Sequence, residues 1–164
     1  MELADTPKIL TRVAAAVPAA LVRVRSGPFA LVEHLWHLAD LEREGFGARI
    51  LRLMAEDDPF LPDFDGERIA REREYLRKDV AGGLAAFAAA RAENLARLLA
   101  LTDSSRAGRQ EGVGRVTLAE MPRRMLEHDL AHFNELADLL EELVPRHPLI
   151  GELRNRGPHS SRAA

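Results

Sequence analysis

Along most of the chain, apolar residues return every three or four positions with charge between them, the period of a helix buried on one side. Thr6 followed by Pro7 reads as a cap and first turn, and Pro18 ends or kinks that helix. A second helix starts near Pro28 or Phe29 and runs to about Met54, with a stripe of Val32, Leu35, Trp36, Ala39, Phe46, Ile50 and Leu53. "DDPFLPDFDGE" (57–67) carries the prolines, aspartates and Asp65-Gly66 of a loop. A short charged helix is expected within 66–78, and Asp79 can cap a long one over 80–101. Residues 102–116, rich in Ser, Gly and Arg, read as loop. Thr117 with Glu120 forms a capping box opening a last long helix over 118–144, and Pro145 stops it. Alternating, β-branched stretches are absent from this reading, so the expected class is all-α: a helical bundle in one domain, residues 1–145. The tail, 146–164, is expected to be poorly ordered.

Composition narrows the chemistry. The 164 residues contain no cysteine, which removes disulfides and thiolate metal sites. Any metal must be held by imidazole, carboxylate and water. With 23 basic and 26 acidic residues the net charge is −3, not the footprint of a nucleic-acid binder. The longest apolar run, "VAAAVPAALV" (13–22), is cut by Pro18 and is too short for a membrane span. Glu2 and Asp5 precede Lys8 and Arg12, unlike the basic start of a secretory leader, so a cytoplasmic location is expected.

Of the six histidines, His128 and His132 stand four apart in "MLEHDLAHFNEL" (125–136). That spacing places both on one helical face, beside the apolar face of Leu118, Met125, Leu126, Phe133, Leu136, Leu140 and Leu143. By itself the pair is as compatible with a surface or hydrogen-bonded couple as with part of a metal site. His147 and His159 fall in the tail. The second helix offers His34 and His37 in "VEHLWHLADLERE" (32–44). His37 shares a polar stripe with Glu33, Asp40 and Glu44, which reads either as a solvated face or as a seam turned into the bundle. His34 lies on a weaker apolar stripe with Leu31, Leu38 and Leu41. Helical phase alone does not choose between His34 and His37.

The segment "FALVEHLWHLADLEREGFGARI" resembles the second-helix signature of the DinB-like (DinB/YfiT-like) superfamily of metalloenzymes, and "HDLAH" resembles its H-x-x-x-H. On that match His37, followed by "LAD", takes the ligand position and His34 an apolar slot. Phe29-Ala30 stands where Trp-Ser is common, leaving Ser26 as the replacement cap. The resemblance implies an antiparallel four-helix bundle, often a homodimer, with zinc or nickel at His37, His128 and His132. Some of its members are S-transferases that use a low-molecular-weight thiol.

Two helices would thus supply one plus two neutral imidazoles, with at least one position open for water or a small-molecule substrate, the arrangement of a catalytic rather than a closed site. His34, Asp40, Glu44, Asp129 and Glu135 are candidates to orient the ligands or act as bases. Asp129 falls on the apolar face and should have a partner there. No catalytic residue is singled out. The reaction stays open between metal-dependent hydrolysis and thiol transfer, and the alternative is a non-catalytic metal-binding or assembly protein. Metal affinity is expected to fall with pH through the ordinary histidine value of ~6.5. "DFDG" (63–66) lacks the remaining ligands of a calcium loop, "GVG" (112–114) follows no strand, and Arg23 and Arg25 are weak anion candidates.

Overall fold

The structure is a computed structural model that describes residues 2–156. The rest of the tail, with His159, lies outside the described residues. A 3₁₀ turn at Leu3–Asp5 leads into α1 (Thr6–Ala16), which ends before Pro18 as expected. Thr6 is not its cap. It is fully buried inside the helix, and its hydroxyl donates to Asp129 at 2.7 Å.

The second helical stretch begins at Leu31 rather than at Pro28 or Phe29. Residues before it form a two-stranded hairpin, β1 (Arg25–Ser26) and β2 (Phe29–Ala30), turning at Gly27 with φ +73°. Such a left-handed turn position favours glycine. Ser26 donates to Glu142 instead of capping. The cap is Ala30, whose N–H donates to the Glu33 carboxylate at 2.9 Å, while Arg25 holds that carboxylate from the other side. The stretch then runs as α2 (Leu31–Asp40), a π-helical turn (Leu41–Gly47) and α3 (Ala48–Ala55). Val32, Leu35, Ala39, Phe46, Ile50 and Leu53 are buried. Trp36 is half-buried, its indole N–H donating to the Asp79 carbonyl at 2.8 Å.

After β3 (Phe60–Leu61), the charged segment splits into α4 (Gly66–Glu72) and a 3₁₀ turn at Tyr75–Arg77, broken where Glu74 takes φ +48°. Asp79 caps α5 (Val80–Leu99) as expected, accepting the Gly82 N–H at 2.5 Å. Residues 102–116 are not all loop. They contain the hairpin of β4 (Ala107–Gln110) and β5 (Gly114–Thr117), and β3 adds to β4 in parallel. Its turn uses Gly112 (φ +71°) and Gly114 (φ +98°), so the "GVG" stretch is hairpin chemistry. Glu120 accepts the Thr117 N–H at 2.7 Å, forming the expected capping box ahead of α6 (Met121–Leu143). The protein is therefore mostly helical, with two small sheets that an all-α class omits.

The largest apolar cluster joins α1, α2, α5 and α6 through residues such as Leu10, Leu35, Phe87, Phe133 and Leu140. A second lies under the three-stranded sheet, where Ile50, Leu53, Leu61, Val116, Met121 and Met125 meet. The expectation of a poorly ordered tail fails over α7 (Leu149–Arg154). Leu149 and Leu153 are buried in the main core, and Arg12 pairs with Glu152 at 2.9 Å. The apolar positions 149, 150 and 153 carry that signal, weakened by the short helix. We expect Leu153→Ala to lower stability by about 2–5 kcal/mol in denaturant titration, the usual cost of emptying a fully packed leucine site. An unchanged midpoint would mean that α7 does not dock in solution.

Candidate metal centre

α2 contributes His37, and α6 contributes His128 and His132 one turn apart. Each offers a ring nitrogen, and the three nitrogens lie within 4.8 Å of one another. Ring centroids are 4.9 Å apart for His37–His132, 5.8 Å for His37–His128 and 4.5 Å for His128–His132. Phe29 and Phe64 flank His37 at 5.1 and 6.0 Å, and Phe46 meets His128 at 6.0 Å. The backbone at the start of α4 closes on the same ring: a Cβ at Gly66 would come within 2.3 Å of the His37 imidazole. Asp65-Gly66, legible as a turn, thus lets the loop seat directly against His37.

This apolar setting favours the neutral imidazole at His37, His34 and His128. Burial pushes His37 down to about 4, with the neighbouring His132 adding to the effect. Burial and His132 likewise hold His34 at about 3, and burial with the surrounding positive groups puts His128 well below its ordinary value. Neutral imidazole is the form that binds a metal. Glu135 reaches His132 Nδ1 at 3.0 Å, and His34 Nδ1 lies 3.1 Å from that same nitrogen. A proton on Nδ1 donated to Glu135 leaves the lone pair of His132 on Nε2. Burial works to raise Glu135, but the close contact with His132 Nδ1 outweighs it and holds the carboxyl below the ordinary range.

The donor set fits a divalent cation. His37 Nδ1 is buried without any hydrogen-bond partner, an arrangement that costs about 1–3 kcal/mol unless something uses the nitrogen. Three imidazoles without a thiolate suit zinc, nickel, copper or iron. His34, His132 and Glu135 also bring donor atoms within 4.8 Å of one another, so His34 adjoins the cluster through His132.

The other acidic candidates point elsewhere. Asp40 accepts from Tyr75 Oη at 2.5 Å, from Arg73 at 2.5 Å and from Arg43 at 2.8 Å. Glu44 is exposed and pairs with Arg73 and Arg43. Neither makes a hydrogen bond to a histidine. Asp129 is buried and has its expected partners: Arg91 at 2.8 and 2.9 Å and the Thr6 hydroxyl. Arg91 also binds Glu42, and Asn94 donates to the Glu42 carbonyl at 2.7 Å and its carboxylate at 2.9 Å. The sequence reading missed Glu42, Arg91 and Asn94. Arg23 and Arg25 are taken by backbone carbonyls and by Glu33, respectively.

The class so defined is a helical bundle in which two helices bring one and two imidazoles together, His37 and His132 buried and His128 partly so. The chain belongs to the DinB superfamily, whose family model matches residues 2–136. Among solved structures it is similar to YfiT from Bacillus subtilis, described as a probable metal-dependent hydrolase with an unusual four-helix bundle topology. The TM-score is 0.70 at 20% identity, over 94% of this chain and 82% of that one. That likeness establishes the four-helix bundle fold. No curated protein matches the chain in sequence. No helix among the described residues is long and apolar enough to cross a membrane.

We expect His37→Ala and His128→Ala each to weaken zinc or nickel binding by at least a hundredfold in calorimetry. His34→Ala should cost about tenfold, the range for a residue that only orients a ligand. Reversed effects at positions 34 and 37 would transfer the ligand role to His34. A second expectation corrects the pH dependence drawn from the sequence. One pH unit below an ordinary value of ~6.5 costs roughly tenfold per imidazole ligand. Because His37 and His128 are lowered, they stay neutral there, and His37 begins to compete with protons near pH 4. Affinity should therefore differ by tenfold or less between pH 7.5 and 5.5. A hundredfold loss over that interval would show that both titrate as ordinary imidazoles.

Proposed function

We propose that the protein is a metal-dependent enzyme acting on a small molecule, with His37, His128 and His132 holding one divalent cation. The observation that carries this reading is the convergence of three imidazoles, one with a buried and unpartnered Nδ1. Three protein ligands leave a position for exchangeable water or substrate. When bound, the cation supplies Lewis acidity toward a water or a thiol.

The chain's own groups do the rest. Glu135, 3.0 Å from His132 Nδ1, is placed to orient that ring, and its side chain is 40% exposed. Phe29, Phe46 and Phe64 exclude water around the rings and strengthen every polar contact between them. Gly66 permits the α4 backbone to fix the His37 ring from the opposite side. YfiT is described as a probable hydrolase, and hydrolysis is the reaction we assign first. Transfer to a low-molecular-weight thiol is the finer alternative, and it needs no residue beyond those named.

The test is direct. Protein purified without a histidine tag should retain zinc or nickel at close to one equivalent and turn over members of an ester, amide or thiol-plus-electrophile panel. His132→Ala should lose both properties while keeping its circular dichroism spectrum. Bound metal with no turnover and no exchangeable water by relaxation measurements would identify a bracing site instead. Failure to bind after reconstitution would remove the reading altogether.

A further inference from the structure

Arg49 on α3 is buried, with 7% of its surface exposed, yet it has no ion-pair partner within hydrogen-bond distance. Its Nη2 donates to the Pro62 carbonyl at a long 3.2 Å. The nearest carboxylate oxygen, on Asp63, is 3.7 Å away on a side chain that is 70% exposed. Its Nε, also buried, has no partner. A guanidinium taken out of water normally brings its anion with it. Arg124 stands in the same condition. It lies one turn before His128 on α6, its buried Nε lacks a partner, and its Nη1 reaches Gln110 only at 3.4 Å. Burial lowers Arg49 from its ordinary value, the charge of Asp63 works against that, and the charge of Arg124 adds to it.

Arg49 lines a cleft of about 80 Å³ with Ala48, Leu61, Pro62 and Phe64. Asp63 also lines this cleft, its carboxylate 3.7 Å from Arg49 and turned to solvent, while the other charged groups on the rim are committed. Arg52 is held by Glu56 and the Phe60 carbonyl, and Glu44 by Arg73 and Arg43. Phe64 is shared between the cleft and the His37 ring, and the charge of Arg49 is felt at His128. The cleft therefore adjoins the His37 ring through Phe64.

We propose that Arg49, with Arg124 behind it, is an anion subsite beside the metal centre, which takes the carboxylate or phosphate group of a small anionic substrate. A guanidinium fork matches both groups through paired, charge-assisted hydrogen bonds. The catalytic part of this assignment rests on the metal-dependent reading above; anion binding itself does not.

The experiment uses metal-free full-length protein at low ionic strength, titrated calorimetrically with inorganic phosphate and, separately, with acetate. Saturable one-to-one binding of either probe is expected, and the tighter of the two names the group. Arg49→Gln should weaken it at least tenfold, and Arg49→Lys should weaken it less. Because the titrated protein is metal-free, the subsite is scored even if no metal binds. Where Arg49→Gln does not fold by circular dichroism, Arg124→Gln is the deciding variant, with a loss of about threefold or more expected. Absence of saturable binding for both probes, or unchanged affinity in the folded arginine variants, overturns the proposal.

Discussion

One buried guanidinium holds the arrangement together. Arg91 on α5 binds Asp129 of α6, Glu42 of the π-helical turn and the Leu3 carbonyl, and Asp129 in turn accepts from Thr6 of α1. Four helical segments thus meet on a single cation. Burial works against that charge, and the two carboxylates more than offset it. Taking such charges from water costs several kcal/mol each, which only full pairing recovers, so the helices cannot rotate past one another without leaving an unpaired ion behind. The consequence reaches the histidines through geometry. Asp129 follows His128 and precedes His132 by three residues, so locking the phase of Asp129 toward α5 sets the direction of both imidazoles toward α2.

The π-helical turn is the second half of the same device. Its wider coil sets the Glu42 carbonyl free for the Asn94 side chain, and Gly47 leaves room for that contact: a Cβ there would lie 3.0 Å from both the Asn94 oxygen and the Glu42 carbonyl. Wide turns of this kind often mark functional positions, because they re-aim side chains within a continuous helix. Before the turn, Glu33, His37 and Asp40 face inward as one stripe; within it, Glu42 is buried and Glu44 is exposed. A uniform helical period assigns Glu44 to the interior and overlooks Glu42. The extra residue in the turn is what exchanges them.

This contrast separates what the chain makes legible from what it does not. His128 and His132 are related by one helical turn, and local spacing alone places them together. The partner, His37, could be named only by the resemblance of "HLAD" to a family motif, since phase left His34 open; the structure brings both near His132, one in each group of donors. Asp129 was legible as a buried charge needing a partner, but Arg91, 38 residues earlier, carries no local mark. The β4–β5 hairpin escaped because its strands contribute only Val116, Gly108 and Gln110 to the interior, too little for an alternating pattern. The tail helix escaped because six residues give barely two turns of periodicity.

The charges around the histidines serve two ends at once. Positive groups at Arg91 and Arg49 join burial in resisting a proton on His128, which keeps that imidazole a ligand in mildly acidic solution. The same positive groups oppose a divalent cation. Each is offset differently. Arg91 lies between two carboxylates and presents little net field outward. Glu135 brings an opposite charge to His132 from the far side of the ring. Arg49 has only the solvent-exposed Asp63 carboxylate, 3.7 Å away, as a counter-charge. Phe64 thus stands between the His37 ring and a buried cation whose nearest carboxylate faces solvent.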